Sequence, residues 1–211
     1  MRFRTFDGTP IDDIVAYVCE AVSGNPMLTV SVGCDSSPQK PATYVVTVMM
    51  YDAGSRSGAH VVYARQSRHI RSRDVSGRLQ LESEMALEVA DRLDAALSAL
   101  SERRDLTEFE RKRYKYHLLS NEGATMGRRD DDAVISAVVL TDAERTARYR
   151  FVDIHMDYNA HEMSRDNRGV KKNKSNLSYK TWVPYMRGLG YRVFVKPVAY
   201  AASSAADILL H

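Results

Sequence analysis

Cysteine is scarce: Cys19 and Cys34 are the only two in 211 residues. Two thiols cannot staple a chain of this length, so the fold has to rest on a packed core, and reduced cysteines in a cytoplasmic setting are expected. No apolar run approaches the ~20 residues of a bilayer span, so no membrane role is expected. The start, Met1-Arg2-Phe3-Arg4-Thr5-Phe6, lacks the apolar stretch of a secretory signal. Several chemistries lack their signatures too: there is no C-x-x-C pair, no G-x-x-x-x-G-K-[ST] phosphate loop, no H-E-x-x-H helix and no G-x-S-x-G elbow. What is present, 44% hydrophobic and 27% charged residues, excludes a disordered chain. The size suits one domain over residues 1–211, with room for a long insertion.

Net charge is only +3, but the positive charge is segregated. Arg165, Arg168, Lys171, Lys172, Lys174, Lys180, Arg187, Arg192 and Lys196 face a single acid, Asp166. Arg65, Arg68, Arg71, Arg73 and Arg78 form a second cluster with only Asp74. Such clustering suits a protein that meets polyanions; the plainer reading is a solvated basic loop.

Hydrophobic periodicity predicts a helix over about 11–22, where Ile11, Ile14, Val15, Val18 and Val22 share one face. Strands follow at Leu28–Cys34, Tyr44–Tyr51 and His60–Ala64, joined by short turn-rich linkers that imply an antiparallel meander. A long helix is expected over about Gly77–Arg103, with Ala86, Val89, Ala90, Leu93, Ala96, Leu97 and Leu100 as its stripe. The segment 105–147 reads as an insertion. Beyond it come a strand at Tyr149–Met156, a polar loop at Asp157–Lys174, a helix near Leu177–Arg187, a strand at Tyr191–Val195 and an alanine-rich helix from about Tyr200. A meander followed by alternating β and α elements gives an α/β fold with a mixed sheet of about five strands, the layout of the ribonuclease H-like fold.

A nuclease of that layout needs carboxylates converging on divalent cations. Asp35 ends the first apolar strand, where an acid also serves as a turn or cap residue. At ~100° per residue Glu82 falls within the apolar stripe of its helix while Glu84, Glu88 and Asp91 fall outside it. A core-facing carboxylate is costly unless bound or paired; the alternative is a first-turn Glu favoured by the helix dipole or by an arginine. Asp153 shares a strand face with His155 and Asp157, and an acid inside a strand is unusual, which favours Asp153 over Asp157. The alternative is an exposed strand face. Asp207 sits in the last helix, where small residues would let it approach the sheet.

Other residues invite chemistry with less support. His155 and His161 match no tetrahedral zinc spacing. Cys34 has no histidine placed to activate it and reads as a buried strand cysteine. Trp182 and Tyr185, at i and i+3, suit base stacking, although packing on the sheet is the commoner role.

Four segments carry a resemblance: Val32-Gly33-Cys34-Asp35-Ser36-Ser37, Val152-Asp153-Ile154, Lys172-Asn173-Lys174-Ser175, and Lys196-Pro197-Val198-Ala199-Tyr200-Ala201-Ala202-Ser203. Together they resemble the YkuK family of ribonuclease H-like proteins, with its G-T-D-S run, D-I-G strand end, N-K-[ST] helix start and K-P-x-[AS]-aromatic-x-A-S ending. The resemblance implies that Asp35, Glu82 and Asp153 hold Mg²⁺ or Mn²⁺, with Asp207 as a further catalytic acid. Here Cys34 replaces the family threonine and His155 the glycine, and the loop before Lys172 is longer.

The function expected is metal-dependent hydrolysis of RNA or DNA. Lys171, Lys172, Asn173, Lys174, Ser175 and Lys196 are the candidates for holding the nucleic acid; the lysines would meet its phosphates and Asn173 and Ser175 would cap the following helix. The alternatives are a non-catalytic nucleic-acid-binding or scaffold protein of the same fold, and an adaptor that docks proteins through 105–147.

Overall fold

The computed structural model describes residues 1–25, 28–37, 41–52, 58–69, 74–102, 150–161, 163–166, 169–172, 174–196 and 199–210, with the side chains of 101–102, 162–173, 203 and 207 outside that description. The expected insertion at 105–147, and with it any adaptor role, therefore lies outside the described residues, as do Arg71, Arg73, Arg168 and Asn173.

Nine strands and four α-helices are described. A hairpin, β1 (Phe3–Thr5) and β2 (Pro10–Ile11), precedes α1 (Ile14–Gly24). The meander is β3 (Leu28–Ser37), β4 (Ala42–Asp52) and β5 (His60–Arg68), and α2 (Val75–Glu102) follows. Then come β6 (Val152–Met156), a separate hairpin of β7 (Met163–Asp166) and β8 (Gly169–Lys172), α3 (Ser175–Gly188) and β9 (Arg192–Val195). A π-helical turn (Ala201–Ala206) runs into α4 (Asp207–Leu210).

The main sheet has seven strands in the order β2-β1-β5-β4-β3-β6-β9. β3, β4 and β5 pair antiparallel, while β6 lies parallel to β3 and β9 parallel to β6. The five-strand expectation falls short by the β1–β2 hairpin, whose strands of three and two residues are too short to carry a periodic signal. The polar loop expected at 157–174 contains the β7–β8 hairpin, which alternation does not reveal in Met163-Ser164-Arg165-Asp166. Among the described residues, no helix is long and apolar enough to cross a membrane.

β3 and β4 are buried along nearly their whole length because both sheet faces are covered. Val30, Val32 and Cys34 join Met85, Ala86, Val89 and Leu93 of α2 in the main core. α2 opens on Asp74, whose carboxylate accepts from Gly77 N–H at 2.8 Å. On the other face the π-helical turn crosses the sheet at very short range. Thr47 Oγ1 donates to Ala201 O at 2.6 Å, and Ala201, Ala202 and Ala206 are fully buried. That approach requires Gly33: a Cβ built there would lie 2.5 Å from Ala202 N and 2.6 Å from Ala201 C. The turn then advances to Val45, the register partner of Asp35, which packs with Ala206 and Leu209.

Gly33→Ala should therefore push the terminal turn off the sheet and lower stability by about 1–3 kcal/mol. Chemical denaturation checks this; a midpoint equal to the parent's would contradict the contact.

Candidate active site

The site builds up from the C-terminal ends of β3 and β6 and from the first turns of α2. Alternation along β3 sends Ser36 toward α2, where its hydroxyl donates to Glu82 Oε1 at 2.5 Å. Glu82 is 1% exposed, as its place in the apolar stripe requires. Its other oxygen, Oε2, is buried without a hydrogen-bond partner. The nearest cation, Arg78, one turn earlier on α2, is an ion-pair neighbour only, with Nε 3.9 Å from Oε1.

This setting decides the charge of Glu82. Burial pushes its carboxyl up to about 8; the Ser36 hydroxyl and Arg78 pull it down, while the negative charges of Asp35 and Asp157 push it further up. At neutral pH, with no cation present, Glu82 holds its proton. Beside it, Cys34 is fully buried and its thiol is raised well above the ordinary range, first by burial and then by Glu82 and Asp35. It is inert core, as expected.

Asp35 is half-buried at the end of β3, and its Oδ1 accepts from the N–H of Ser36 at 2.8 Å. The parallel β3–β6 ladder ends at Cys34 opposite Met156, so Asp35 and Asp157 follow at the same level. There the chain bends, Tyr158 N–H donating to Met156 O at 2.8 Å. Tyr158 is buried; its hydroxyl bonds Ser83 and donates to Leu79 O, which ties this bend to the α2 turns that present Glu82. Lys196, just past β9, places Nζ 2.7 Å from Asp157 Oδ1, close enough for an ion pair though not aligned as a hydrogen bond.

Asp153 has different company. It is fully buried on the sheet face away from α2, the face that alternation also gives Asp35, level with Ser31. Arg192 of β9 grips both its oxygens, Nε at 2.7 Å from Oδ1 and Nη2 at 2.8 Å from Oδ2. Burial raises its carboxyl to about 6 although Arg192 opposes the shift, so at neutral pH it is the anionic half of a buried ion pair. A cation shared by Asp153 and Glu82, as expected from the resemblance, would have to displace Arg192, which neutralises Asp153 here. Alternation identified its strand face but not the arginine 39 residues away. The exposed-face alternative fails, because Asp153 is fully buried. Asp157, ranked lower on sequence, is the strand-end acid whose charge reaches Glu82.

The remaining expectations divide. His155 lies outside the acid group: buried, and lowered to about 3 by burial and then by Arg192, it accepts from Ala201 N–H at 3.1 Å and meets Phe194 edge to face. It replaces the family glycine as a clamp on the terminal turn. Asp207 opens α4 immediately after Ala206, at the Asp35 end of the sheet, but its side chain is outside the described residues. Lys171 and Lys172 lie on β8 with side chains likewise outside the description, and Lys174 is exposed. Lys174, rather than Asn173 or Ser175, occupies the cap position of α3 and makes no side-chain cap bond. The Ser175 hydroxyl instead accepts from Asn159 N–H at 3.1 Å. Arg65 of the second basic cluster donates to Leu209 O and so anchors α4.

A scan against protein-family models matches residues 11–117, just over half the chain, to the family described as Ribonuclease H-like, the family to which YkuK belongs. The chain belongs to that family. The sheet agrees: β5-β4-β3-β6-β9, three antiparallel strands and two added in parallel, is the family layout anticipated from element order. The match takes in Asp35, Ser36, Arg78 and Glu82, while Asp157, Arg192 and Lys196 lie beyond it. The family's fold is one associated with nucleic acids. No curated protein and no solved structure matches the chain.

Oxygen donors of this kind suit a hard cation such as Mg²⁺ or Mn²⁺. Among the described residues, however, no three of His, Cys, Asp or Glu stand close enough to enclose a metal ion. The acids fit a site in which one or two carboxylates share the ion with substrate phosphate, and Glu82 Oε2 is the buried oxygen such an ion would satisfy.

Two predictions follow from these surroundings. The unfolded chain releases the Glu82 proton near 4.5 and the folded chain keeps it to about 8, so the folded state binds more protons between those values and its stability falls as pH rises through them. Glu82→Gln removes that loss. In metal-free buffer, its melting temperature should gain on the parent steadily from pH 5 to pH 8; a constant difference would contradict the buried neutral acid. For the ion pair, Asp153→Ala leaves Arg192 buried and unpaired and should cost about 3–5 kcal/mol, whereas replacing both partners by leucine should recover most of it in urea denaturation. A single Asp153→Ala variant as stable as the parent would refute the pairing.

Proposed function

We propose that this protein is a divalent-metal-dependent nuclease that hydrolyses backbone phosphodiesters of RNA, DNA or their hybrid. Asp35 and Glu82 would share Mg²⁺ or Mn²⁺ with a substrate phosphate, Asp157 lies within electrostatic reach of Glu82, and Asp153, here held by Arg192, and Asp207 are the further acids that the resemblance implies. One observation carries the reading: Glu82 is a carboxyl held in the core by Ser36 with one oxygen unsatisfied, within electrostatic reach of Asp35 and Asp157 at the ends of adjacent parallel strands. Burying a carboxyl with one oxygen unsatisfied costs folding stability, which a ligand for that oxygen would offset. A divalent ion held there would supply positive charge for the phosphate oxygens and lower the pKa of a water for attack on phosphorus.

The chain's own groups have complementary tasks. Ser36 fixes the Glu82 rotamer, and Tyr158 fixes the distance between α2 and the β6 bend. Lys196, half exposed and paired with Asp157, would be free to meet a phosphate oxygen at little cost. Exposed Lys174, with Lys171 and Lys172 nearby in sequence, gives backbone affinity without sequence preference.

A specific observation favours a second reading, a non-catalytic nucleic-acid-binding protein of the same fold. Arg78, Arg192 and Lys196 already stand beside Glu82, Asp153 and Asp157. On that reading binding needs no divalent ion and weakens with salt in proportion to the phosphates neutralised.

Calorimetry with Mn²⁺ and a cleavage assay on single-stranded RNA, single-stranded DNA and hybrid separate the two. The nuclease reading expects saturable Mn²⁺ binding in the parent, its loss in Glu82→Gln, and cleavage falling to the metal-free background in Asp35→Asn. Equal cleavage by parent and Asp35→Asn, or metal-independent binding with no cleavage, would overturn it.

A further inference from the structure

On the outward side of α2 a groove of about 600 Å³ separates it from α3. The α2 wall carries Glu84, Glu88 and Asp91, with Leu87 between them; the α3 wall carries Thr181, Trp182 and Tyr185. The two rings meet edge to face, 5.7 Å between centroids at 84°, and Tyr185 is 53% exposed. Aromatic side chains on a basic segment suggest base stacking, but Glu84 and Glu88 opposite them would repel a phosphate backbone, Asp91 being already paired with Arg150. The pattern selects the opposite charge.

Ring faces attract cations, carboxylates form charge-assisted hydrogen bonds with them, and Leu87 offers apolar surface for an aliphatic stem. A planar guanidinium meets all three demands better than an ammonium. The chain already uses this arrangement at one end of the groove: the Arg150 guanidinium lies over the Tyr191 ring at 4.6 Å, with Nη1 3.3 Å from Asp91 Oδ1 and 3.2 Å from Asp94 Oδ2. Glu84 and Glu88 continue the acidic wall beyond Arg150.

We infer that this groove docks an arginine-bearing segment of a partner protein, its guanidinium against Trp182 and Tyr185 and its charge on Glu84 and Glu88. The site is separate from the strand-end acids and independent of whether they cleave a phosphodiester.

Trp182 is the single tryptophan of the chain, so its fluorescence reports on this groove alone. The full chain is titrated with a blocked peptide of alternating glycine and arginine, with the same peptide carrying glutamate for arginine, and with oligothymidylate. The expected result is a saturable change with the arginine peptide only, weakened at least about tenfold in the exposed double variant Glu84→Gln/Glu88→Gln and weakened further by salt. A double variant that titrates like the parent, or a signal that moves with oligothymidylate and not with the arginine peptide, would overturn the inference.

Discussion

The Glu82 carboxyl group, closed between α2 and the end of β3, is the constraint around which the described structure is arranged. Burial makes its ionisation unfavourable, and Ser36 satisfies only one of its oxygens. The surrounding packing keeps it there: Ala86, Val89 and Leu93 on the same face of α2 are fully buried against Val30, Val32 and Cys34. A helix anchored so firmly at its middle has no freedom to turn its first residues outward. Tyr158 adds a polar tether from the β6 bend to Leu79 and Ser83, on either side of the glutamate. The acid is therefore positioned by the core itself, from elements that the chain order brings together only through the parallel addition of β6 to β3.

Two ion pairs on neighbouring strands illustrate how depth changes the meaning of the same chemistry. Asp153 and Arg192 are cross-strand partners with both oxygens engaged and almost no exposure, so the pair serves the join between β6 and β9. Asp157 and Lys196 stand four residues further along each strand, past the end of the ladder, where Lys196 is half exposed. A pair at that depth exchanges partners at little cost. The sheet's other face is closed by a backbone rather than by side chains, with Gly33 clearing the path of the π-helical turn and His155 and Thr47 binding Ala201.

Much of this architecture was legible in the amino-acid order because its elements are long and periodic. The three meander strands, α2 and the closing α/β units announce themselves by apolar spacing, and the 100° rule places Glu82 inward before any contact is known. The short β1–β2 and β7–β8 hairpins escape, since runs of two to four residues hold no period. The acids divide for a similar reason. Alternation tells which side of a strand Asp153 occupies but is silent on what the neighbouring strand places opposite, and register alone brings Arg192 there. The sign that favours Asp157 is also one of register: it follows the last ladder pair as Asp35 does. The aromatic pair on α3 is readable from sequence, but the acidic wall facing it depends on how α2 and α3 pack.

The central claim, that Glu82 is a core-held neutral acid awaiting a divalent cation, is tested most directly by counting protons. Mn²⁺ binding is measured calorimetrically at pH 7 in two buffers of different ionisation enthalpy, for the parent and for Glu82→Gln. The account predicts release of about one proton per site from the parent, because the ligand must deprotonate to bind, and none from the variant. Mn²⁺ binding of undiminished affinity in the variant, or binding to the parent with no proton released, would contradict it.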